Sequence, residues 1–321
     1  MAPGLQGKGM EHRRSRPVKQ ATKFSLVLSG GGLKGLAHIG VFRALQERAL
    51  VPDLVVGSSI GSLIGAAWAA GMTPEEMATR ALKVERRHVF RVAHTDMAFR
   101  RMLCPAVYRR EPLDDLITSL IGRGTFKELT RPLLINTVDL NAGLQVVWGG
   151  PGSADVRIAD VVFASCALPG IFPPREILGR HYVDGAVVEN LPVRVAASAA
   201  PWPVLGVNVS AAGLDREGVE SQGFAATYIR GLEIVMQTQI EAVLSRWEGP
   251  PLALIHPPVM HISMFAFDHT AELIEAGYRS TIDMLDRLGG LDHLVSGIHG
   301  APIGGLTVMP GLVPGEPKSA A

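Results

Sequence analysis

The amino-acid sequence predicts an α/β fold, a three-layer α/β/α sandwich built on a mixed, mainly parallel sheet. Near the N-terminus, short apolar runs alternate with segments of helical spacing, which is typical of a sheet covered by helices. Two of these runs end in glycine-rich turns, at 29–35 and 57–61, and each turn leads into a helical segment. With 321 residues and 47% hydrophobic content, the chain is long enough to bury one large core.

The first predicted elements are a strand at 24–29, a glycine loop, and a helix whose apolar residues recur at helical spacing over 33–50. A second buried strand at 53–56 is followed by a tight turn and a helix that runs through Trp68 and stops near Gly71. This succession of strands and helices argues for a parallel or mixed sheet sandwiched by helices.

The next helix begins with a strong start signal. Thr73 is an N-cap residue, Pro74 suits the first helical position, and Glu76 completes a capping box. The same periodicities continue along the chain. They predict strands at 133–138, 144–148, 181–183, 204–209 and 252–256. They predict helices at 113–121, 158–166, 224–246 and 271–288.

Charge and composition divide the chain into a domain and two tails. Residues 1–23 carry six basic residues against one acidic residue, whereas the whole chain has a net charge of only +1. We therefore predict a basic disordered tail at 1–22, one folded domain at 23–300, and a Gly/Pro-rich tail at 301–321. The net charge of +1 gives no global reason to expect a nucleic acid partner.

The sequence also predicts where the protein works. The N-terminal segment lacks the apolar run of a secretory signal, and Cys104 and Cys166 are too few for a disulfide framework or a four-ligand metal site. We expect a cytoplasmic protein, possible peripheral contact with the inner membrane surface, and no metal or organic cofactor. Composition leaves the oligomeric state open.

The turn Gly57-Ser58-Ser59-Ile60-Gly61 matches G-x-S-x-G between a predicted strand and a predicted helix. In a nucleophile elbow the serine occupies a strained turn, and the two glycines let strand and helix approach closely. The alternative is a glycine-rich helix start that matches this loose pattern without a catalytic role.

The first glycine loop contains Gly30, Gly31, Gly32, Lys34 and Gly35 and also opens a helix. Backbone N–H groups at such a turn can bind a developing oxyanion or a phosphate. The loop also matches G-x-G-x-x-G, which makes a dinucleotide site the alternative, although the next strand does not end in an acidic residue. Lys34 is disfavoured at a helix N-terminus, which indicates either a function or an ordinary solvated lysine.

A third motif, Asp184-Gly185-Ala186, ends a predicted strand and by itself reads as an ordinary turn. Taken in order, the two glycine motifs and this Asp-Gly resemble the patatin-like phospholipase family, especially bacterial members related to the catalytic domain of neuropathy target esterase. The likeness covers about residues 24–290, and four further stretches are similar to the family: 164–170, 172–174, 189–192 and 275–278.

The resemblance implies a serine acyl hydrolase that cleaves carboxylic esters of lipids. It assigns roles as follows: Ser59 as nucleophile, Asp184 as proton acceptor, Gly30, Gly31 and Gly32 as oxyanion hole, Lys34 and Gly35 as its supporting loop, and Gly57 and Gly61 as the glycines of the elbow. It implies no catalytic histidine and no metal. A Ser-His-Asp triad using His38, His181, His256 or His269 stays open, as do a dinucleotide-binding oxidoreductase and a non-catalytic lipid-binding protein.

The segment 83–110 carries eight Lys and Arg residues against two acidic ones, interleaved with apolar side chains. Such a segment suits the surface of an anionic membrane, where it could form a docking patch or a lid. The alternative is a solvated basic hairpin whose apolar residues belong to the core.

Overall fold

A computed structural model describes residues 23–93, 104–210, 221, 223–289 and 307–309. A parallel set of strands forms the centre of its sheet. These strands are β1 (Ser25–Leu28), β2 (Leu54–Ser58), β3 (Leu133–Asp139), β7 (Val204–Val207) and β8 (Leu252–Ile255). They lie in the order β3, β2, β1, β7, β8. Strands β1 and β2 are buried along their whole length, as expected for a parallel sheet with both faces covered.

Antiparallel strands complete the sheet on both sides. They are β4 (Leu144–Trp148), β5 (Arg175–Ile177), β6 (Arg180–Asp184) and β9 (Thr307–Met309). Strands β4 and β6 pair with β3, β5 pairs with β6, and β9 pairs with β8. The mixed, mainly parallel sheet confirms the predicted fold class. Strand β9 lies within 301–321, the segment predicted as a Gly/Pro-rich tail.

Helices cover both faces of this sheet. They are α1 (Ala37–Glu47), α2 (Ile60–Ala69), α3 (Pro74–Ala81), α4 (Glu111–Ile121), α5 (Ile158–Cys166), α6 (Ala186–Glu189), α7 (Val193–Ala199), α8 (Phe224–Leu244) and α9 (Thr270–Leu288). The sequence missed α6 and α7, which are too short to show a period. A 3-10 turn at Gly32–Leu36 replaces the start predicted for α1.

Two apolar clusters form the core, one on each face of the sheet. Leu26 and Leu28 of β1 point to the larger cluster, which packs under α1, α2, α3, α4, α5 and α9. Val27 points the other way, to the cluster that Ala196 of α7 and Ile240 of α8 complete. The alternation of side chains along one strand thus separates the two helical layers.

The structure explains two local features of the helices, the start of α3 and the close contact between α1 and α9. The hydroxyl of Thr73 accepts the Glu76 N–H at 3.2 Å while the Glu76 carboxylate accepts the Thr73 N–H at 2.9 Å, which confirms the capping box. Where α1 crosses α9, a Cβ at Gly40 would meet the backbone of α9 and one at Gly277 would meet the backbone of α1, so both positions need glycine.

Among the described helices, none combines the length and the apolar character needed to cross a bilayer.

Candidate active site

Ser59 lies on a sharp turn between β2 and α2, with φ 52° and ψ −129°. This left-handed backbone is uncommon for a residue with a side chain and points to a strained turn. A Cβ at Gly57 would lie 2.6 Å from Gly61 O, and one at Gly61 would clash with the Leu28 carbonyl. Both positions therefore require glycine for steric reasons, as the elbow interpretation predicts.

Strand β3 brings Asp184 to this turn. Ser58 at the end of β2 pairs with Asn136, and Asp184 at the end of β6 pairs with the next residue, Thr137. Because both strands use adjacent positions of β3, residues that are 125 positions apart in sequence meet at one edge of the sheet. The Ser59 and Asp184 side chains line the same cavity, and the Ser59 hydroxyl lowers the pKa of the Asp184 carboxyl.

Burial controls the acidity of Asp184, whose residue is only 2% exposed. Desolvation raises the pKa of its carboxyl from 3.8 to about 7, because a buried charge loses its hydration. The Ala186 N–H, which donates to Asp184 Oδ1 at 2.9 Å, and the Ser59 hydroxyl oppose this rise. A carboxylate with a pKa near neutrality is a much stronger base than an exposed aspartate.

The glycine loop faces Ser59 from the end of β1. Its three glycines are not equivalent, because the Gly30 N–H already donates to Asn190, at 3.0 Å to Oδ1 and 3.2 Å to the carbonyl oxygen. A Cβ at Gly30 would lie 2.5 Å from Asn190 Oδ1 and 3.0 Å from Ser59 Cβ. Gly30 thus provides space, whereas Gly31 and Gly32 line the cavity beside Ser59.

The two supporting residues behave differently from each other. A Cβ at Gly35 would clash with the Ile60 side chain, so this glycine lets the loop pack against the start of α2. Lys34 is only 3% exposed, and its ammonium lies 3.9 Å from the Glu233 carboxylate of α8. The interpretation of Lys34 as a solvated lysine is therefore wrong; the residue joins the loop to α8 inside the protein.

Two residues that hold the site escaped the sequence analysis. The Ser165 hydroxyl accepts the Ser59 N–H at 2.9 Å and donates to the Asn136 carbonyl at 2.8 Å. The Asn136 side chain in turn donates to the carbonyls of Gly185, at 3.1 Å, and Glu189, at 2.8 Å. These bonds connect the serine turn to the Asp-Gly turn. In the sequence, the sign of this role is that Ser165 is a polar residue among apolar ones in the predicted helix 158–166.

Asn190 is a further residue to which no role had been assigned. Its Nδ2 donates to the Ser210 hydroxyl at 2.6 Å, and that hydroxyl donates to Asn208 Oδ1 at 2.9 Å. With its amino group held there, Asn190 presents Oδ1 to Gly30. In the sequence, 189–192 resembles the patatin-like phospholipase family, but the resemblance gives no role for Asn190.

Cys166 lines the same cavity as Ser59 and Asp184. Burial and the neighbouring Asp184 charge raise the pKa of its thiol far above the ordinary range. The thiolate is the nucleophilic form of cysteine, so this thiol is poorly suited to compete with Ser59.

The four histidines of the open triad lie elsewhere. His38 is buried, its Nε2 lies 2.9 Å from Ser29 O, and burial lowers its pKa to about 4. His269 pairs with Glu272 at 2.7 Å, and burial lowers the pKa of His256. Among the described residues that line the cavity beside Ser59 there is no histidine, and His181 lies on the exposed part of β6.

The cavity has a volume of about 160 Å³. Ser59, Asp184 and Asn190 line it together with Gly31 and Gly32, and the remaining lining is almost wholly apolar. Aromatic side chains border it around Phe90, whose ring centroid lies 5.7, 5.4 and 6.0 Å from those of Phe172, Phe265 and Phe267. The site therefore suits a hydrophobic substrate.

The basic segment is described in part. Arg100 and Arg101 lie in 94–103, outside the described residues. A groove with basic side chains adjoins the cavity. Its cationic lining comprises Arg80, Lys83, Arg87 and Arg91, and the acidic Glu111 and Asp115 also line it. Val84, Leu116 and Leu120 line both the groove and the cavity.

Comparison with known proteins agrees with these observations. A family model described as patatin-like phospholipase matches residues 26–197, more than half of the 321-residue chain. An uncharacterized NTE family protein of Mycobacterium tuberculosis is 32% identical over 186 residues, which are 58% of this chain and 46% of that relative. The lysophospholipase NTE1 of Mycosarcoma maydis is 26% identical over 91% of this chain and 16% of the fungal protein.

The chain thus spans less than half the length of these curated relatives. Among solved structures, VipD from Legionella pneumophila is similar with a TM-score of 0.46 and 14% identity, over 91% of this chain and 68% of VipD. The family model spans the glycine loop, the serine elbow and the Asp-Gly turn, so the chain belongs to the patatin-like phospholipase family.

Proposed function

We propose that this protein is a serine acyl hydrolase that cleaves carboxylic esters of lipids, of the phospholipid or lysophospholipid class, through a Ser59–Asp184 dyad. The observation that carries the proposal is the meeting of these two residues at the polar end of one apolar cavity. The membership in the patatin-like phospholipase family supports the same reaction.

In the first half of the reaction, Asp184 accepts the proton of the Ser59 hydroxyl while Oγ attacks the ester carbonyl carbon. The carbonyl oxygen becomes an oxyanion, which the N–H groups of Gly31 and Gly32 stabilise, since the Gly30 N–H is held by Asn190. The C–O bond then breaks, Asp184 returns the proton to the departing alcohol, and Ser59 remains acylated.

The second half reverses these roles with water. Asp184 accepts a proton from water, whose oxygen attacks the acyl carbonyl, and a second oxyanion forms at the same N–H groups. Collapse of this intermediate releases the carboxylic acid and returns the proton to Ser59 Oγ. A carboxyl whose pKa is about 7 can both take up and release this proton near neutral pH.

The cavity also argues against the dinucleotide alternative. Gly31 and Gly32 open onto a mainly apolar space. A Cβ at Gly31 would lie 2.8 Å from the Val209 side chain, and one at Gly32 would lie 2.5 Å from Met264 O. The loop is thus packed against protein on one side and faces an apolar channel on the other, a poor setting for a pyrophosphate.

A fluorophosphonate probe tests the proposal. It reacts with activated serines, so we expect one labelled peptide, modified at Ser59, and no labelling of Ser59→Ala. Ser58→Ala is the matched control, because the adjacent Ser58 hydroxyl is buried without a hydrogen-bond partner among the described residues. Absence of labelling in the folded wild-type protein, together with micromolar NAD or NADP binding, would support the dinucleotide alternative instead.

We also propose that the basic groove brings the enzyme to anionic lipid surfaces. Each cation near such a surface contributes about 1 kcal/mol, and the groove carries Arg80, Lys83, Arg87 and Arg91 beside only two acids. Its position next to the cavity supports this role, because the shared wall places the cations close to the space for the substrate.

A further inference from the structure

The cavity beside Ser59 extends along helix α2. Ile60, Leu63, Ile64 and Ala67 of α2 line it, and these positions recur at the spacing of one helix face. Helix α2 begins directly after Ser59. With a rise of 1.5 Å per residue, the lining from Ile60 to Ala67 extends about 10 Å from the nucleophile along the helix.

Polar groups are confined to the starting end. Ser59, Asp184 and Asn190 gather where the glycine loop meets the serine turn. Thr270 also lines the cavity, but its hydroxyl donates to the Phe267 carbonyl at 3.3 Å. Beyond Ser59 the wall along α2 is hydrocarbon, so a ligand with one polar end and one apolar chain would bind in a single orientation.

Side chains that follow α2 in sequence line the far part of the cavity. These are Met72, after α2, and Met77 and Ala81 of α3. Met77 is 3% exposed and Ala81 6% exposed, so both are buried, whereas Met72 is half-buried. Leu113 of α4, which is buried, also lines the cavity. A chain that entered at Ser59 would therefore run along α2 towards these side chains.

We propose that this cavity binds one extended acyl chain along α2, and that Met72, Met77 and Ala81 determine the longest acyl group the enzyme accepts. The inference rests on the proposed hydrolase activity, because the chain direction is defined by attack of Ser59 on the ester. The apolar lining along α2 thus assigns this space to the acyl chain of the lipid substrate.

Variants of the buried side chains at the far end of the cavity test this assignment. For each, kcat/KM is measured on nitrophenyl esters from butyrate to palmitate, and the ratio of long-chain to short-chain activity is compared. Met77→Ala enlarges the end, so we expect this ratio to rise about tenfold, the effect of one or two methylenes in an apolar pocket. Ala81→Leu fills the end, so the ratio should fall by a similar factor.

Leu82→Ala is the control, because Leu82 adjoins Ala81 but is 60% exposed and does not line the cavity. Its ratio should equal that of the wild type. An unchanged ratio in both Met77→Ala and Ala81→Leu would overturn the inference, as would an equal loss on every ester with normal thermal stability. Fluorophosphonate labelling of Ser59 in the same variants separates this failure from failure of the proposed function, which would abolish labelling in the wild type as well.

Discussion

The Ser59 N–H donates to the Ser165 hydroxyl at 2.9 Å, so the strained backbone of the serine turn is held from α5. The same hydroxyl donates to Asn136 O on β3 at 2.8 Å. One buried side chain therefore links the turn to the strand whose next residue pairs with Asp184. Positioning of the proposed nucleophile depends on this link as well as on the two glycines of the elbow.

Ser165→Ala removes both hydrogen bonds, the one from the Ser59 N–H and the one to the Asn136 carbonyl, which costs about 1–3 kcal/mol of stability. We expect kcat to fall about a hundredfold with little change in KM, because displacement of the nucleophile weakens the reaction more than binding. Steady-state kinetics on a soluble ester checks this. Ser245→Ala, which removes a hydroxyl at the distant end of α8, should leave kcat unchanged; a wild-type kcat in Ser165→Ala would contradict the positioning role.

The raised pKa of Asp184 predicts the pH dependence of turnover. The base must be ionised, and its pKa is about 7, so kcat should fall about tenfold for each pH unit below that value and level off above it. The measurement is kcat against pH on a soluble short-chain ester. An inflection near the ordinary aspartate pKa of about 4 would show that Asp184 is not the group that titrates.

The same shift predicts an effect on stability. The folded pKa is raised, so folding takes up a proton between the unfolded pKa of about 4 and the folded pKa of about 7, and stability is lost as the pH rises through this window. Asp184→Asn cannot ionise. Its free energy of unfolding relative to wild type should therefore increase from pH 4 to pH 7, by up to about 4 kcal/mol.

Urea denaturation at pH 5 and pH 8 measures this difference. Asp283→Asn on the exposed face of α9 serves as the control and should show almost no such trend. A constant difference between Asp184→Asn and wild type at both pH values would mean that burial does not shift this carboxyl.

The positions of the histidines predict that ester hydrolysis needs no Ser-His-Asp triad. No histidine occurs among the described residues lining the cavity beside Ser59, so His256→Gln should keep activity within about tenfold of wild type, whereas loss of a triad member costs roughly 10⁴-fold. The measurement is kcat on a soluble ester with the fold verified by circular dichroism. A folded but inactive His256→Gln protein would restore the triad hypothesis.

Charge reversal tests the basic groove. Lys83→Glu should weaken binding to anionic vesicles by about tenfold or more and spare hydrolysis of a soluble ester, since a cation near the surface contributes about 1 kcal/mol. Arg246→Glu makes the same charge change at the end of α8, outside the groove, and should bind like wild type. Binding should also weaken as salt screens charges beyond about 8 Å. Equal binding of all three proteins to anionic and neutral vesicles would contradict the proposal.

Sequence by itself determined the local features of this protein. The G-x-S-x-G turn, the capping box at Thr73 and the alternation of strands with helices each depend on residues within one or two turns of each other, and the structure contains all three. The three motifs around Gly30, Ser59 and Asp184 likewise pointed to the correct family, because each is a short contiguous pattern.

Tertiary structure decided what the motifs can do. The Gly30 N–H donates to Asn190, 160 positions away, whereas Gly31 and Gly32 line the cavity beside Ser59. Lys34 is buried because α8, which is remote in sequence, packs against the glycine loop. The pKa of the Asp184 carboxyl is raised because the surrounding elements bury it. Burial and long-range hydrogen bonds follow from strand order and helix packing, which no local pattern encodes, and they set the acidity of Asp184 and the partner of the Gly30 N–H.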